Sequence, residues 1–395
     1  MSNNNNGKLY YEDGKLRYEG GYKDGKKNGL GKEYHENDKL KYEGGYKDDE
    51  YKGKGKEYYD DGKLIYEGEF ENDVYKGNGK LYSQNSKLKY EGEFKDGVCN
   101  GNGKFYENGI LNYEGEFKDD EYNGNGKYYY KCGKLRYVGE FKDEYYNGNG
   151  KLYYTDGELI YEGEFKDNKR TGNGKYYEDG ELRYEGEFKD DDYNGSGTYY
   201  EEGELKYEGE WKDDKRNGNG KYYEDGELRY EGKFKDDKRN GYGKYYYEDG
   251  SLRYEGGYKD DKRNGYGKYY DVNGSLSYEG EYKDGKSNGI GKDYYEDTEL
   301  RYEGEFKDGE RNGIGKSYNE YGKLIYEGEW NDGCIIIKQQ IKDDDLCLIC
   351  MSEKKNMAFI PCGHLCICER CSKKYKDNKC IMCRKEFSIS YKIFF

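Results

Sequence analysis

The sequence predicts a mainly β fold, an elongated single layer of antiparallel hairpins followed by a small cysteine-rich domain. Three observations lead to this prediction. The triplet Tyr-Glu-Gly returns every 23 or 24 residues through most of the 395-residue chain. Aromatic and charged residues alternate within each repeat, and eight of the 11 cysteines lie in the last fifty residues. The internal repeat therefore sets the organisation of the chain.

The repeats are regular in register. The triplet begins at Tyr18, Tyr42, Tyr66, Tyr90, Tyr113, Tyr161, Tyr184, Tyr207, Tyr230, Tyr254, Tyr278, Tyr302 and Tyr326, and a Tyr-Val-Gly variant begins at Tyr137. A Gly-x-Gly pair, such as Gly218 and Gly220, lies midway through each complete repeat. Tyr and Phe must supply most of the buried apolar surface, because aliphatic residues are scarce.

One repeat illustrates the hairpin prediction. Between residues 205 and 211, Leu, Tyr, Gly and Trp alternate with Lys, Glu and Glu, a period of two that indicates a strand with one aromatic and one charged face. Residues 212–217 are polar and predict a turn. Gly218, Gly220 and Tyr222 alternate as the returning strand, and Asp225-Gly226 predicts the next turn. The repeats therefore predict a long antiparallel meander.

The recurring glycines indicate close packing. A ring can lie flat over a neighbouring strand only where that strand carries no side chain, and Gly209, Gly218 and Gly220 provide such places for Tyr207 and Trp211. A disordered Gly-rich linker is the alternative. It is disfavoured because aromatic residues recur in register, which flexible linkers lack.

The carboxyl-terminal segment has the spacing of a double zinc site. Its candidate ligands are Cys347, Cys350, Cys362, His364, Cys368, Cys371, Cys380 and Cys383. Zinc prefers four thiolate or imidazole ligands in a tetrahedron, so the set predicts two closed structural zinc sites. A disulfide cluster fits seven cysteines and one histidine less well. Cys366 is predicted to be packed and unligated, with an exchange of roles between Cys366 and Cys368 as the alternative.

Charge and the remaining cysteines restrict the partners. The formal charge is −15, and residues 1–340 carry 58 Lys and Arg against 77 Asp and Glu. Such an acidic array argues against nucleic acid and against an anionic membrane as the main partner. Cys99, Cys132 and Cys334 alone lie outside the zinc segment, and no signal peptide or transmembrane segment is visible. We expect a soluble cytoplasmic protein.

The repeats resemble the MORN family. Residues 302–309, Tyr-Glu-Gly-Glu-Phe-Lys-Asp-Gly, followed by Arg-Asn-Gly-Ile-Gly at 311–315, are close to the family pattern, and the resemblance covers residues 8–333. It implies a single-layered, elongated β structure. The predicted domains are a flexible amino terminus at 1–7, the array at 8–333, a linker at 334–344 and the zinc domain at 345–395.

The zinc segment resembles the RING finger family. The resemblance assigns Cys347, Cys350, Cys368 and Cys371 to one zinc, and Cys362, His364, Cys380 and Cys383 to the other. It implies a ubiquitin ligase that docks a ubiquitin-conjugating enzyme and orients ubiquitin for transfer, with no covalent ubiquitin intermediate. The array would then bind the substrate. The alternative is a non-catalytic scaffold or assembly protein in which the RING is a structural or dimerising module.

The RING resemblance also implies contact residues for the conjugating enzyme and ubiquitin. These are Ile349, Tyr375 and Arg384, for which the alternatives are a small core, a surface ring and a solvated charge. The family usually has Pro after the seventh ligand, where this chain has Ile381. That departure puts the choice of conjugating enzyme in question.

Within the RING family, the segment resembles the RING fingers of inhibitor-of-apoptosis proteins. Residues 359–365, Phe-Ile-Pro-Cys-Gly-His-Leu, match them, as does the chain end twelve residues past Cys383. This similarity implies a RING homodimer through the tail and contact of Phe394 with ubiquitin. Apolar residues of the tail, Ile389 to Phe395, would be costly to expose. A tail packed on its own domain is the alternative.

Overall fold

The computed structural model describes residues 5–336 and, in the carboxyl-terminal segment, residues 355, 357–360, 365–367, 369–380, 384, 386 and 389–392. The chain divides into two compact units, Met1–Lys215 and Arg216–Phe395. Both units are built almost entirely of β-strands in their described parts, which confirms the predicted fold class.

The first unit is an antiparallel meander in which every strand pairs with its neighbours in sequence. Its strands are β1 (Asn5–Tyr10), β2 (Leu16–Lys23), β3 (Lys26–Tyr34), β4 (Leu40–Lys47), β5 (Glu50–Tyr58), β6 (Leu64–Glu71), β7 (Val74–Tyr82), β8 (Leu88–Lys95), β9 (Val98–Glu107), β10 (Ile110–Lys118), β11 (Glu121–Tyr129), β12 (Leu135–Lys142), β13 (Tyr145–Tyr153), β14 (Leu159–Lys166), β15 (Lys169–Glu178), β16 (Glu181–Lys189), β17 (Asp192–Glu201) and β18 (Glu204–Lys212). Each pair follows the hairpin pattern predicted from the sequence.

The second unit continues the same pattern from β19 onward. Its repeat strands are β19 (Lys215–Glu224), β20 (Glu227–Lys235), β21 (Lys238–Tyr246), β22 (Leu252–Lys259), β23 (Lys262–Tyr270), β24 (Leu276–Lys283), β25 (Lys286–Tyr294), β26 (Leu300–Lys307), β27 (Glu310–Tyr318), β28 (Leu324–Asn331) and β29 (Cys334–Ile336). Strand β29 pairs with β28, so residues from the predicted linker extend the sheet.

Two kinds of turn explain why some repeats have 23 residues and others have 24. After each Tyr-Glu-Gly strand, the chain reverses in two residues, such as Asp119 and Asp120, whose φ values of 50° and 71° fit a type I′ turn. On the other side of a repeat of 24, a loop such as 130–134 is closed by a hydrogen bond of 2.9 Å from the amide of Tyr130 to the carbonyl of Lys134. A repeat of 23 has a second two-residue turn there, as at Asp225–Gly226.

The prediction of a polar turn over residues 212–217 is wrong in its length, because the turn is shorter. Only Asp213 and Asp214 lie between strands, both with positive φ, and β19 already begins at Lys215. Two successive left-handed residues complete the reversal, so the polar residues that follow are free to form backbone hydrogen bonds as a strand. At the other end of the array, β1 begins at Asn5, within the segment predicted to be flexible.

Each buried tyrosine of the triplet lies over a pair of glycines on neighbouring strands. In one repeat, Gly115 and Gly126 are cross-strand partners, and a Cβ added to Gly126 would overlap the ring of Tyr113. The Tyr113 hydroxyl donates a hydrogen bond of 2.9 Å to the carbonyl of Glu116. Burial raises the pKa of Tyr113. The predicted packing role is therefore seen at the glycine of the triplet and at the second glycine of the Gly-x-Gly pair. The prediction is wrong for the first glycine of the pair: Gly218 has a left-handed φ of 74°, and a Cβ on its counterpart Gly124 would meet the Glu116 side chain and no ring.

Aromatic contacts connect successive repeats. The Tyr113 ring meets Phe117 of its own repeat at 5.1 Å and Phe141 of the next repeat at 5.0 Å, both edge to face. Tyr137 meets Phe165 in the same way, at 5.2 Å. Edge-to-face pairs are favourable beyond the area that they bury. The core of each unit is thus a continuous row of rings along one face of a single sheet, and stability is a sum over neighbouring repeats.

Candidate metal centre

The described parts of the cysteine-rich segment form a small sheet and one helical turn. The elements are β30 (Met357–Ile360), β31 (Leu365–Ile367), α1 (Glu369–Ser372) and β32 (Ile389–Lys392). The sheet has the order β31-β30-β32, and both pairings are antiparallel. These elements bring the end of the chain next to the strand that precedes the predicted ligands Cys362 and His364.

Two predicted zinc ligands, Cys371 and Cys380, lie in the described region and both are buried. Cys371 is on α1, whose end is closed by a 3.0 Å hydrogen bond from the amide of Lys374 to the carbonyl of Cys371. The amide of Arg384 donates to the carbonyl of Cys380 at 2.8 Å, inside a bridge between Lys379 and Glu386. A tight turn thus begins at Cys380, as expected for the first thiol of a C-x-x-C pair.

The donor chemistry of the segment fits zinc. The other six predicted ligands, Cys347, Cys350, Cys362, His364, Cys368 and Cys383, lie outside the described residues. Among the described residues alone, no group of three His, Cys, Asp or Glu side chains gathers as a metal site. Seven thiols and an imidazole remain the ligand types that zinc prefers, and the two described thiols are turned away from solvent. Cys366 belongs to β31, and its side chain lies outside the described region.

Two of the predicted contact residues lie in the described region. The Tyr375 hydroxyl donates a hydrogen bond of 2.9 Å to the carbonyl of Lys379, so it braces the loop before Cys380. The Arg384 side chain is 74% exposed and its guanidinium lies 3.8 Å from a carboxylate oxygen of Asp377. An exposed pair of this kind contributes little to stability and leaves the guanidinium accessible to a partner. Ile349, Ile381 and Phe394 lie outside the described residues.

The tail strand pairs with its own domain. In the register of β30 with β32, Met357 lies opposite Lys392 and Ile360 lies opposite Ile389. This pairing is the alternative that the sequence analysis set against a dimerising tail. Dimerisation stays a prediction, and residues 393–395 lie outside the described region.

The face of the repeats opposite the aromatic rings carries a ladder of alternating charge. In the first unit, the Glu114 carboxylate lies 3.0 Å from the Lys127 ammonium and 3.6 Å from that of Lys104. Lysine and glutamate alternate in this way across most strands, and Val138 interrupts the ladder between Lys127 and Lys151. Hydrogen bonds from Tyr129 and Lys127 lower the pKa of Glu114. The ladder balances the sheet face locally although the array as a whole is acidic.

One feature of this charged face was not predicted from the sequence. The middle residue of the Gly-x-Gly pair is mostly Asn in the first unit, but it is Tyr242, Tyr266, Ile290 and Ile314 in four successive repeats of the second unit. All four side chains are exposed. The change from Asn to Tyr or Ile at one repeat position was the signal that could have revealed it.

A single layer of ring-and-glycine hairpins joined to a cysteine-rich segment defines a repeat scaffold with a zinc finger. The MORN repeat pattern matches more than half of the chain, at residues 66–87, 90–110, 113–131, 161–181, 184–203, 207–227, 230–252, 254–276, 278–297 and 302–318. A MORN repeat variant matches further segments from residue 4 to residue 236. The chain therefore belongs to the MORN repeat family. Residues 343–389 match the zinc finger of C3HC4 type, the RING finger.

Curated relatives are similar over the short RING region alone. "E3 ubiquitin-protein ligase SP1" of Arabidopsis thaliana is 38% identical over 50 residues, 13% of this chain and 14% of the relative. "Probable E3 ubiquitin-protein ligase LUL4" of the same plant is 49% identical over 41 residues, 10% of this chain and 11% of the relative. "Apoptosis inhibitor IAP" of Cydia pomonella granulosis virus is 39% identical over 56 residues, 14% of this chain and 20% of the relative. The chain thus spans a small part of each relative's length.

The described residues include no membrane-spanning helix. No helix there has both the length and the apolar character needed to cross a bilayer. The one helix among the described residues, α1, has four residues.

Proposed function

We propose that this protein is a RING-type ubiquitin ligase whose repeats bind the substrate or a scaffold partner. The observation that carries the proposal is the RING match at residues 343–389, together with the ligase names of relatives that are similar there. Buried Cys371 and Cys380, each next to a closed turn, support a metal-built platform. The ligase module would be residues 345–395, joined to the array by the residues that follow β29, which ends at Ile336.

The proposed metal sites are two and structural. One zinc would be held by Cys347, Cys350, Cys368 and Cys371, and the other by Cys362, His364, Cys380 and Cys383. Bound zinc would fix the loops of the platform, and four protein ligands per site leave no open position for a substrate. The catalytic effect would come from orientation of the ubiquitin thioester held by the conjugating enzyme.

Among the described contact residues, Arg384 is the best placed to help orient the ubiquitin thioester. Its backbone is fixed by the hydrogen bond to Cys380, while most of its side chain faces solvent. A planar guanidinium with several donors can bridge two protein surfaces in a way that an ammonium cannot. Ile349 would add an apolar contact with the conjugating enzyme. Tyr375 would contribute its ring, because its hydroxyl is already bonded to Lys379.

The proposal includes a homodimer through the tail, with Phe394 in contact with ubiquitin. The described tail strand β32 pairs within its own chain, so the dimer contact would involve side chains and residues beyond β32. We also place the activity in the cytoplasm. Exposed Cys132 and Cys334 are unpaired thiols outside the RING, which suits a reducing compartment.

The decisive experiment is discharge of ubiquitin from a panel of charged conjugating enzymes by the full chain. We expect stimulated discharge, reduced by at least about tenfold in Arg384→Ala and in Ile349→Ala. Arg384→Lys keeps the charge but not the planar donors, so it should also lose most of the activity. The matched control is Lys374→Ala, an exposed cation of the same domain, which should discharge normally.

Zinc content separates loss of the platform from loss of contact. All four variants should keep two zinc ions per chain. A zinc-loaded chain that stimulates none of the conjugating enzymes would overturn the ligase proposal and favour the non-catalytic scaffold, a reading to which Ile381 in place of the usual Pro lends some support.

A further inference from the structure

The second unit carries a row of exposed apolar side chains on its charged face. We call Tyr242, Tyr266, Ile290 and Ile314 the apolar row; each is between 56% and 61% exposed. They occupy the same position in four successive repeats, on strands β21, β23, β25 and β27. The first unit has a single large apolar residue at this position, Leu30. A line of four is an exposed apolar patch of the kind that marks interaction sites.

Repeat geometry, and not loose packing, exposes the row. Each member is followed by a glycine that faces the aromatic side, where a Cβ on Gly243 would overlap the Tyr230 ring and one on Gly315 would overlap the Tyr302 ring. Side chains of adjacent strand residues point to opposite faces. Tyr242 and Ile314 must therefore project from the face that has no aromatic core, and they cannot be buried by a rotamer change.

Acidic side chains surround the row. The Tyr242 hydroxyl lies 3.3 Å from a carboxylate oxygen of Glu255, and the Tyr266 hydroxyl lies 3.5 Å from one of Glu279. The cross-strand partners of the last three members are Glu281, Glu305 and Glu329. The adjoining ladder alternates Lys244, Lys268, Lys292 and Lys316 with Glu255, Glu279, Glu303 and Glu327. Glutamate thus outnumbers lysine around the row, which favours a basic partner.

The spacing of the row fits an α-helix laid across the strands. Successive members are two strands apart, or about 10 Å. Seven residues of an α-helix advance about 10.5 Å and return the side chain to nearly the same face. In an extended strand, three residues cover a similar distance but alternate anchors point away. A helix about 10–12 Å across would also reach the charged ladder beside the row.

A second copy of the chain fits the row poorly. Tyr242 shares β21 with Lys244, and Ile314 shares β27 with Lys316. If two copies faced each other about a two-fold axis parallel to the strands, setting apolar members opposite one another would also set lysine opposite lysine. Like charges held together at an interface cost several kcal/mol. The ladder therefore opposes a face-to-face dimer about that axis.

We propose that the apolar row binds a basic amphipathic helix of a protein partner, with a bulky apolar residue at every seventh position and Lys or Arg beside it. The proposal deepens the function proposed above, because it gives the substrate or scaffold partner a site on the repeats and a chemical class. Helix recognition by an apolar seam with flanking charge is a common mode of peptide binding. Binding itself requires no ubiquitin transfer.

The test uses the full chain and a fluorescent synthetic helix of about four heptads, with Leu at every seventh position and Lys beside it. We expect saturable binding by fluorescence anisotropy that weakens as salt rises. The combined variant Tyr242→Asn, Tyr266→Asn, Ile290→Asn and Ile314→Asn should bind at least about tenfold more weakly. It should fold, since Asn stands at this position in repeats such as those of Asn102 and Asn125.

Matched controls make the outcome decisive. Leu30→Asn changes the same repeat position in the first unit and should leave binding unchanged. Equal binding of a helix with Glu for Lys, or of a proline-rich peptide with the same charge, would overturn the proposal. So would full binding by the four-Asn variant, or a dimer of the parent chain that this variant abolishes. Ubiquitin discharge measured on the same variant should be unaffected, so failure of the ligase function remains distinguishable from failure of the apolar row.

Discussion

At the scale of single residues, the array depends on positions where a side chain is absent. The Tyr113 ring lies where Gly126 has no Cβ, and its hydroxyl satisfies the carbonyl of Glu116. Gly126 has an ordinary φ, so backbone strain is not what demands glycine there. The second glycine of a Gly-x-Gly pair, such as Gly126, is therefore a packing requirement of the tyrosine and can be tested by adding one methyl group. The first glycine, such as Gly124, has instead a left-handed φ of 70°.

Gly126→Ala should destabilise the first unit by about 1–3 kcal/mol, because the new methyl group overlaps the buried Tyr113 ring. Chemical denaturation of the parent and the variant measures the change. The control is Asn125→Ala on the adjacent, exposed residue, which should change the unfolding free energy by no more than about 0.5 kcal/mol. Equal effects of the two substitutions would contradict the ring-and-glycine account.

At the scale of strands, position 293 of β25 shows how a repeat accommodates a carboxylate where several others have a ring, as Glu33 of β3 also does. Asp293 is 8% exposed and lies where the preceding repeat has Tyr269. Arg301 and Arg311 bind it at 3.2 Å and 3.1 Å, and the Arg311 guanidinium lies 4.7 Å from the Tyr302 ring centre. A buried carboxylate needs such partners. This ion cluster replaces the ring contact made elsewhere.

Asp293→Ala should lower the unfolding free energy by about 2 kcal/mol, since Arg311 loses its carboxylate; partial exposure of Arg301 keeps the loss below that of a fully buried pair. Asp293→Tyr introduces the residue of the preceding repeat, where Arg263 lies 5.3 Å from the Tyr269 ring centre. That variant should stay within about 1 kcal/mol of the parent. Thermal and denaturant unfolding of both variants gives the comparison, and a Tyr variant as unstable as the Ala variant would refute it.

Strand periodicity was readable from the sequence because alternation of rings and charges is local. The hairpins around residues 205–226 and the turn at Asp225–Gly226 follow from it. The extent of the turn at Asp213–Asp214 did not, because left-handed φ at two aspartates is a backbone choice that polar composition does not reveal. In the zinc segment, spacing predicts the ligand types, whereas the partition of ligands between two metals depends on contacts distant in sequence.

At the scale of the whole molecule, the buried tyrosines link stability to alkaline pH. Burial raises the pKa of Tyr18 to about 12, and burial in the first place, opposed by nearby Arg311, raises that of Tyr302 to about 12. The raised values mean that the fold favours the neutral phenol. Their contribution is complete below pH of about 10, the usual tyrosine pKa, and is lost as pH rises toward 12.

We therefore expect the melting temperature to be steady up to a pH of about 10 and then to fall steeply, because many tyrosines titrate together on unfolding. Circular dichroism follows the unfolding and tyrosinate absorbance follows the ionisation. The part of the tyrosinate signal that comes from the buried rings should appear at the same pH as the loss of strands. Ionisation of nearly all tyrosines near pH 10 with the strands intact would contradict the buried ring row.

Within each unit, hydrogen bonds between strands join only segments that are adjacent in the chain. No strand in the described repeats pairs with a strand distant in sequence, and the aromatic contacts join each repeat to the next. A gene encoding such a chain can gain or lose a block of 23 or 24 codons, and the flanking hairpins meet surfaces of the same chemistry across the new junction. The length of the array can therefore change by simple duplication of a repeat. Each added repeat also adds one exposed middle residue of a Gly-x-Gly pair.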